Sequence, residues 1–201
     1  MEDPYVYPGT EVLINRFDLR NDDLLHAHER ALSRARIRRP PPLVSMTPKG
    51  LSEIHKHIFQ DIYPWAGEIR TCDLSKGTSF FCLPKHLPKQ LEHRMQRLRE
   101  DTDLPRPIPH VFAKQAAEHI AELNALHPFR EGNGRTLRLF AAQLAERAGL
   151  ELDIRKIDHD RWIEGSIRSF DDGDTTILRE TLENALSRRA RRIEKEQVRE
   201  R

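Results

Sequence analysis

The chain has 201 residues, enough to bury one hydrophobic core without requiring a second domain. Apolar residues make up 37% and charged residues 33%, the balance of a small helical protein with many helix faces in water. A net charge of +2 gives no reason to invoke nucleic acid or membrane as a partner, and no stretch approaches the ~20 apolar residues that span a bilayer. The start, Met1 to Gly9, is acidic and broken by prolines. It lacks the basic opening and apolar run of a secretory signal, so a cytoplasmic location is expected. Cys72 and Cys82 are too few for a disulfide scaffold and read as reduced thiols.

In chain order, Asn21 to Arg38 has helical spacing through Leu24, Leu25, Ala31 and Leu32 and stops at Pro40-Pro41-Pro42. Thr47-Pro48 is a helix entry, an N-cap hydroxyl followed by proline in the first turn. Leu51, Ile54, Ile58 and Ile62 then form one apolar stripe. After Trp65-Ala66-Gly67, two short apolar runs flank a glycine turn: residues 69–74, then Phe80 to Leu83. They read as a hairpin over about 69–83, the only β-structure expected. A charged helix follows over about Lys89 to Asp101, then a proline-rich linker, Leu104 to Pro109.

From Val111 to Leu126 the pattern is helical again, with Phe112, Ala116, Ile120 and Leu123 on one face. Pro128 breaks it, and a helix resumes near Gly134 with Leu137, Phe140, Ala141 and Leu144 as its stripe. Gly149 fits a C-cap. Asp158 is placed to cap a helix reaching Phe170, and a last helix starts near Asp174. Residues 188–201 form a charged tail, in which interrupting glutamates favour a solvated end over a nucleic-acid patch. The sum is a mainly α domain over 1–187 with one short hairpin.

Chemistry concentrates in His127-Pro-Phe-Arg-Glu-Gly-Asn-Gly-Arg-Thr-Leu-Arg138. A helix delivers a histidine at its end, and a glycine-rich turn, Gly132-Asn133-Gly134, opens the next helix. Backbone amides there can form an anion nest at a helix N-terminus. Arg135 and Arg138, three residues apart, share one helix face and suit a di- or triphosphate. Glu131 is a hard oxygen donor of the kind that holds Mg²⁺ beside phosphates. His127 is the group in this segment that can take a proton near neutral pH. Each feature alone has a plainer reading as a turn, a helix charge or a cap; their joint occurrence within twelve residues points to a Mg-nucleotide site with an adjacent base.

This segment matches every specified position of the pattern His-x-Phe-x-(Asp/Glu)-Gly-Asn-Gly-Arg-x-x-Arg and so resembles the signature of the Fic family. Asp3 to Gly9 and Ile54 to Arg70 are also similar to short bacterial members. The resemblance implies a Fic-type helical bundle and transfer of AMP from ATP to a Ser, Thr or Tyr hydroxyl of a target protein. His127 would be the general base and Glu131 the Mg²⁺ ligand. Gly132, Asn133 and Gly134 would cradle the phosphates over a loop spanning 127–135, with Arg135 and Arg138 on the β- and γ-phosphates. Phe129 would anchor the loop in the core. Lys76, Gly77, Thr78, Ser79, Phe80 and Phe81 would be a flap that pairs with an extended stretch of the target. Of the two phenylalanines, one is assigned to the core and Phe81 to clamping the target.

In Doc-like kinases lysine replaces the second glycine of the nest; Gly134 therefore favours nucleotidyl transfer. No segment has the inhibitory pattern (Ser/Thr)-x-x-x-Glu-(Gly/Asn), so a separate small antitoxin carrying that glutamate is the implied partner. The family also suggests type II topoisomerase subunits as targets and a toxin-like or translocated-effector role. UMP or phosphocholine transfer, or an idle ATP-binding module, are the alternatives. His26, His28, His55 and His57 resemble metal ligands on paper. Residues i and i+2 of a helix face apart, so all four are expected at the surface. Trp65 is expected to pack in the core.

Overall fold

A computed structural model describes residues 3–39, 41, 43–76 and 79–188. Gly77 and Thr78 at the flap tip and the tail residues 189–201 lie outside the described residues. Seven helices are described: α1 (Asp22–Ile37), α2 (Pro48–Phe59), α3 (Leu87–Glu100), α4 (Pro109–Leu126), α5 (Asn133–Arg147), α6 (His159–Asp171) and α7 (Thr176–Ala185).

Side-chain caps set where three of these begin. The Asn21 side chain accepts the Leu24 amide to cap α1, and the Thr47 hydroxyl accepts the Gly50 amide to cap α2, with Pro48 in the first turn. Asp158 accepts the amides of Asp160 and Arg161 to open α6. The end of α5 runs through Ala148 into Gly149 at φ 72°, a left-handed conformation that glycine adopts without strain.

α4 runs through the middle of the core. Phe112, Ala113, Ala116, Ala117, Ile120 and Leu123 are buried along it, and the small alanines among them let neighbouring helices approach; α3, α5, α6 and α7 all pack against α4. α2 lies against α1 and α5 and buries Leu51, Ile54, His55, Ile58 and Phe59. Ile62, the last residue of the expected stripe, lies past the end of α2 but remains buried. Trp65 packs at the core edge, its ring stacked on Tyr63 and its indole N–H donating to the Ile14 carbonyl.

The hairpin forms as β1 (Ser75–Lys76) and β2 (Ser79–Phe80), antiparallel, with Ser75 opposite Phe80 and Lys76 opposite Ser79. It is not the only β-structure. β3 (Leu150–Leu152) pairs antiparallel with β4 (Leu186–Arg188), closing the α6–α7 segment onto the end of α5. Leu150 and Leu152 point into the core while Glu151 faces water, a period-2 pattern too short to signal a strand by itself.

α6 and α7 meet at Gly165, where a β-carbon would lie 2.9 Å from the Leu178 amide nitrogen and 3.0 Å from Leu178 Cγ. Gly165→Ala should therefore destabilise the fold. Overpacking costs about 1–3 kcal/mol against about 1 kcal/mol gained in helix propensity. The expected outcome is a thermal midpoint lower by a few degrees.

Candidate active site

The loop between α4 and α5 is built by satisfying its carbonyls from beneath. His127 ends α4 in the left-handed region, at φ 48° and ψ 61°. This conformation costs a non-glycine residue about 1–2 kcal/mol. Arg70 donates from Nε to the His127 carbonyl at 2.7 Å, and its backbone amide donates to the Pro128 carbonyl at 2.9 Å. Asn133 donates from Nδ2 to the Phe129 carbonyl at 2.7 Å and accepts the Phe129 amide at 3.0 Å. Asn133 is 2% exposed, so its side chain braces the loop from inside.

His55 holds the next carbonyl. Gly67 N–H donates to His55 Nδ1 at 2.8 Å, which fixes the ring proton on Nε2, and Nε2–H donates to the Glu131 carbonyl at 3.0 Å. The ring is fully buried and stacks on Phe129 at 4.0 Å. Phe129 is thus a buried anchor, as its place in the motif suggests. His55 corrects the expectation of a surface histidine: the i, i+2 argument rules out convergence with His57 but does not say which of the two faces inward. His55 lies four residues from both Leu51 and Phe59, on the apolar stripe of α2, and that spacing was the available signal.

One turn on, Phe59 lies under Gly132. Gly132 has φ 82°, and a β-carbon there would meet Phe59 Cε2 at 2.2 Å. Both the torsion and the close approach require glycine. Gly134 differs: its φ is not positive, and a β-carbon would meet only Trp162 Nε1 at 3.7 Å. Packing therefore does not demand glycine at 134, and the space over it is left open. Gly132 caps α5 without any side-chain hydrogen bond, so the first amides of α5 are left to the site.

The His127 ring is partly buried. Its Nδ1 contacts the Asn124 carbonyl at 3.3 Å, and since a carbonyl only accepts, Nδ1 carries the proton; Nε2, with no hydrogen-bond partner among the described residues, keeps its lone pair. Burial pushes the His127 pKa down to about 4, with Arg70 and Lys76 opposing the cation further, so the ring is neutral at pH 7. Phe81 stacks on this ring at 4.0 Å and meets Phe170 edge-on. Phe80 is 80% exposed, so neither flap phenylalanine belongs to the core. Lys76 and Ser79 form the inner rungs of the hairpin.

The two arginines turn to different neighbours. Arg135 donates to Glu29 at 2.5 Å and Ser33 at 3.1 Å on α1, reaches Glu131 at 3.3 Å, and lies over the Phe59 ring. Glu29 also accepts the Tyr63 hydroxyl. Arg135 is therefore engaged with carboxylates. Arg138 leans over Trp162 at 5.7 Å. Among the described residues it has no carboxylate partner, and burial pushes its pKa down to about 10. Glu131 accepts the Gly132 amide and the Arg135 guanidinium on Oε1, and its side chain is 44% exposed. Sequence reasoning assigned no site role to Glu29, Arg70 or Asp3, although the last two lie in segments similar to short family members; Asp3 pairs with Arg130 in the loop at 2.8 Å.

Residues 45–145, which hold every element of this loop, match the model of the Fic/DOC family. The chain belongs to the Fic/DOC family. It is 38% identical to the probable protein adenylyltransferase y4lH of Sinorhizobium fredii, over 85% of this chain and 89% of that one. It is 35% identical to the probable protein adenylyltransferase Fic of Escherichia coli, over 92% of each. Among solved structures, BepC of Bartonella tribocorum with bound AMPPNP superposes with a TM-score of 0.81. That likeness covers 92% of this chain and 97% of the solved chain at 23% identity, a likeness of fold.

Gly132→Ala forces a β-carbon into Phe59 and strains φ, so a loss of about 2 kcal/mol or more is expected in chemical denaturation. His55, with its pKa pushed down to about 3 mainly by burial, and His127 both fold as neutral rings. Their contribution is complete above pH 6.5. Below it the unfolded chain binds protons first, and stability falls towards pH 3, by at most about 1.4 kcal/mol per pH unit for each ring. His55→Gln and His127→Gln should each flatten that decline in denaturation curves taken between pH 7 and 4.

Proposed function

We propose that this chain transfers AMP from ATP to a Ser, Thr or Tyr hydroxyl of a target protein. The observation that carries the reading is the pairing of a neutral His127, its Nε2 without a hydrogen-bond partner among the described residues, with an α5 N-terminus that has no side-chain cap. Arg138, without a carboxylate partner among the described residues, adds a cation to the same helix end. The names of the Sinorhizobium and Escherichia relatives support the same activity.

In the proposed reaction the target hydroxyl oxygen attacks the α-phosphorus. An O–P bond forms, the bond to the bridging oxygen breaks, and pyrophosphate leaves with the electron pair. His127 Nε2 accepts the hydroxyl proton. The α5 amides and Arg138 hold phosphate oxygens, and electrostatic positioning of this kind is a large part of phosphoryl-type catalysis. The open space over Gly134 supports nucleotidyl transfer, since a lysine there would occupy it.

Mg²⁺ fits the donors present. Glu131 is partly exposed, and its Oε2 has no hydrogen-bond partner among the described residues. No cluster of three or more ligating side chains occurs among the described residues, which suits an ion held by one carboxylate and by phosphates. When bound, it would neutralise phosphate charge. Arg135 would aim the Glu131 carboxylate rather than reach phosphate, because Glu29 and Ser33 already hold its fork.

The target docks in this reading along the flap from Lys76 to Phe81, by strand addition. No inhibitory (Ser/Thr)-x-x-x-Glu-(Gly/Asn) pattern stands in the chain, and Arg138 is the cation such a glutamate would pair with; a separate antitoxin is the proposed regulator. A cytoplasmic site of action, as a toxin or as an effector delivered to another cell, belongs to the same reading; among the described residues no helix is long and apolar enough to cross a membrane. Type II topoisomerase subunits are the first purified targets to try.

Incubating the chain with α-labelled ATP, Mg²⁺ and a bacterial lysate should label a protein. His127→Ala should reduce that labelling by about 10²–10⁴-fold, the usual contribution of a general base. Absence of label from wild type under all conditions tried would remove the reading. Labelled UTP and CDP-choline in parallel decide between AMP and the alternative groups.

A further inference from the structure

Arg70 is 1% exposed and is among the largest fully buried side chains of the described residues. Its guanidinium has no carboxylate partner among the described residues. Instead it meets four backbone carbonyls: His127 from Nε at 2.7 Å, Cys72 from Nη1 at 2.6 Å, and Cys82 and Leu126 from Nη2 at 2.6 and 3.2 Å. Burial pushes its pKa down, but an arginine remains charged at any physiological pH. A buried cation supported only by backbone dipoles is costly to build, and core packing alone would be met by an apolar residue.

The four acceptors divide into two sets. Cys72 and Cys82 lie on the two arms of the hairpin, just outside the pair Leu74 and Phe81, whose backbone bond closes the flap at 3.1 Å. Leu126 and His127 are the end of α4, and the His127 carbonyl belongs to the left-handed residue whose ring is the base. One planar fork therefore holds both arms of the flap and the backbone of the base. Phe81 makes a second bridge between the same parts by stacking on His127.

We propose that Arg70 is a positioning residue that locks the flap and His127 into one unit, so that a target strand registered on the flap is by the same contact registered on the base. The proposal rests on the reading above that the flap docks the target. It assigns Arg70 no contact with substrate. Lysine cannot substitute, because an ammonium on a flexible stem lacks the planar fork that spans four acceptors.

The test compares wild type with Arg70→Lys and Arg70→Gln, first by circular dichroism to establish folding. Transfer of labelled AMP to lysate proteins should fall by about 10²-fold, the cost of misplacing a reacting group by about an ångström. Mg·ATP affinity, read by calorimetry without target, should fall at least about tenfold less than transfer does, because Asn133, His55 and Thr136, not the Arg70 side chain, hold the carbonyls next to the α5 amides. By NMR, the Phe81 amide should lose exchange protection, and the His127 imidazole should titrate closer to 6.5 as water reaches it.

A variant in which the flap amide loosens while His127 titrates as in wild type overturns the coupling. So does a fall in Mg·ATP affinity that matches the fall in transfer, since Arg70 would then act on the nucleotide loop. If wild type itself labels nothing, the enzymatic reading fails, and the two NMR measurements still decide the coupling. If neither variant folds, native-state hydrogen exchange of wild type decides. The amides of Phe81, Arg70 and His127 should open together, and independent opening of Phe81 would refute a shared clamp.

Discussion

The site depends on one constraint: the carbonyls between α4 and α5 must be satisfied from below, so that the amides of the following turn remain for a ligand. Leu126 and His127 are held by the Arg70 side chain, Pro128 by the Arg70 amide and Phe129 by Asn133. Glu131 is held by His55, and Gly132 by the amide and hydroxyl of Thr136. An unpaired buried carbonyl costs about 1–3 kcal/mol, so six of them fix the path of the loop far more firmly than its own torsional preferences could. With the oxygens committed inward, the start of α5 presents its N–H groups outward.

Two scaffolds share the work. α1 and α2 hold the acidic half: Glu29 and Ser33 anchor Arg135, which contacts Glu131, while His55 and Phe59 form the floor under Glu131 and Gly132. The segment around Arg70 holds the basic half, the end of α4 with His127. The halves differ in how they resist perturbation. The α1 contact is an ion pair whose rupture would strand the buried Glu29. The Arg70 contact is a cation among dipoles, with its strength spread over four bonds.

Helix starts were legible because caps are local chemistry. Asn21, Thr47-Pro48 and Asp158 each act through amides two or three residues away, and Gly149 needs only its own torsion. The active-site loop was legible because its donors, torsions and charges lie within twelve residues. What escaped were pairings set by distance along the chain. β3 and β4 meet across 33 residues or more through three-residue strands. Arg70 looks like any surface arginine until the fold surrounds it, and the engagement of Arg135 with Glu29 joins positions 106 apart. His55 lies between these cases. Helical spacing placed it on the buried stripe of α2, but polarity argued for the surface, and the carbonyl that reverses that argument sits 76 residues downstream.

The stack of Phe81 on His127 has a consequence for the charge of the base. While the imidazole is neutral, the contact is ordinary aromatic packing, and the in-plane Nε2 lone pair remains clear at the ring edge. Once Nε2 takes a proton the ring becomes a cation lying 4.0 Å from the negative face of a benzene quadrupole. The attraction switches on with the proton and offsets part of the desolvation that holds the ring neutral at rest. A flap side chain thereby favours the imidazolium, the protonation state that follows deprotonation of an acceptor, over the resting one.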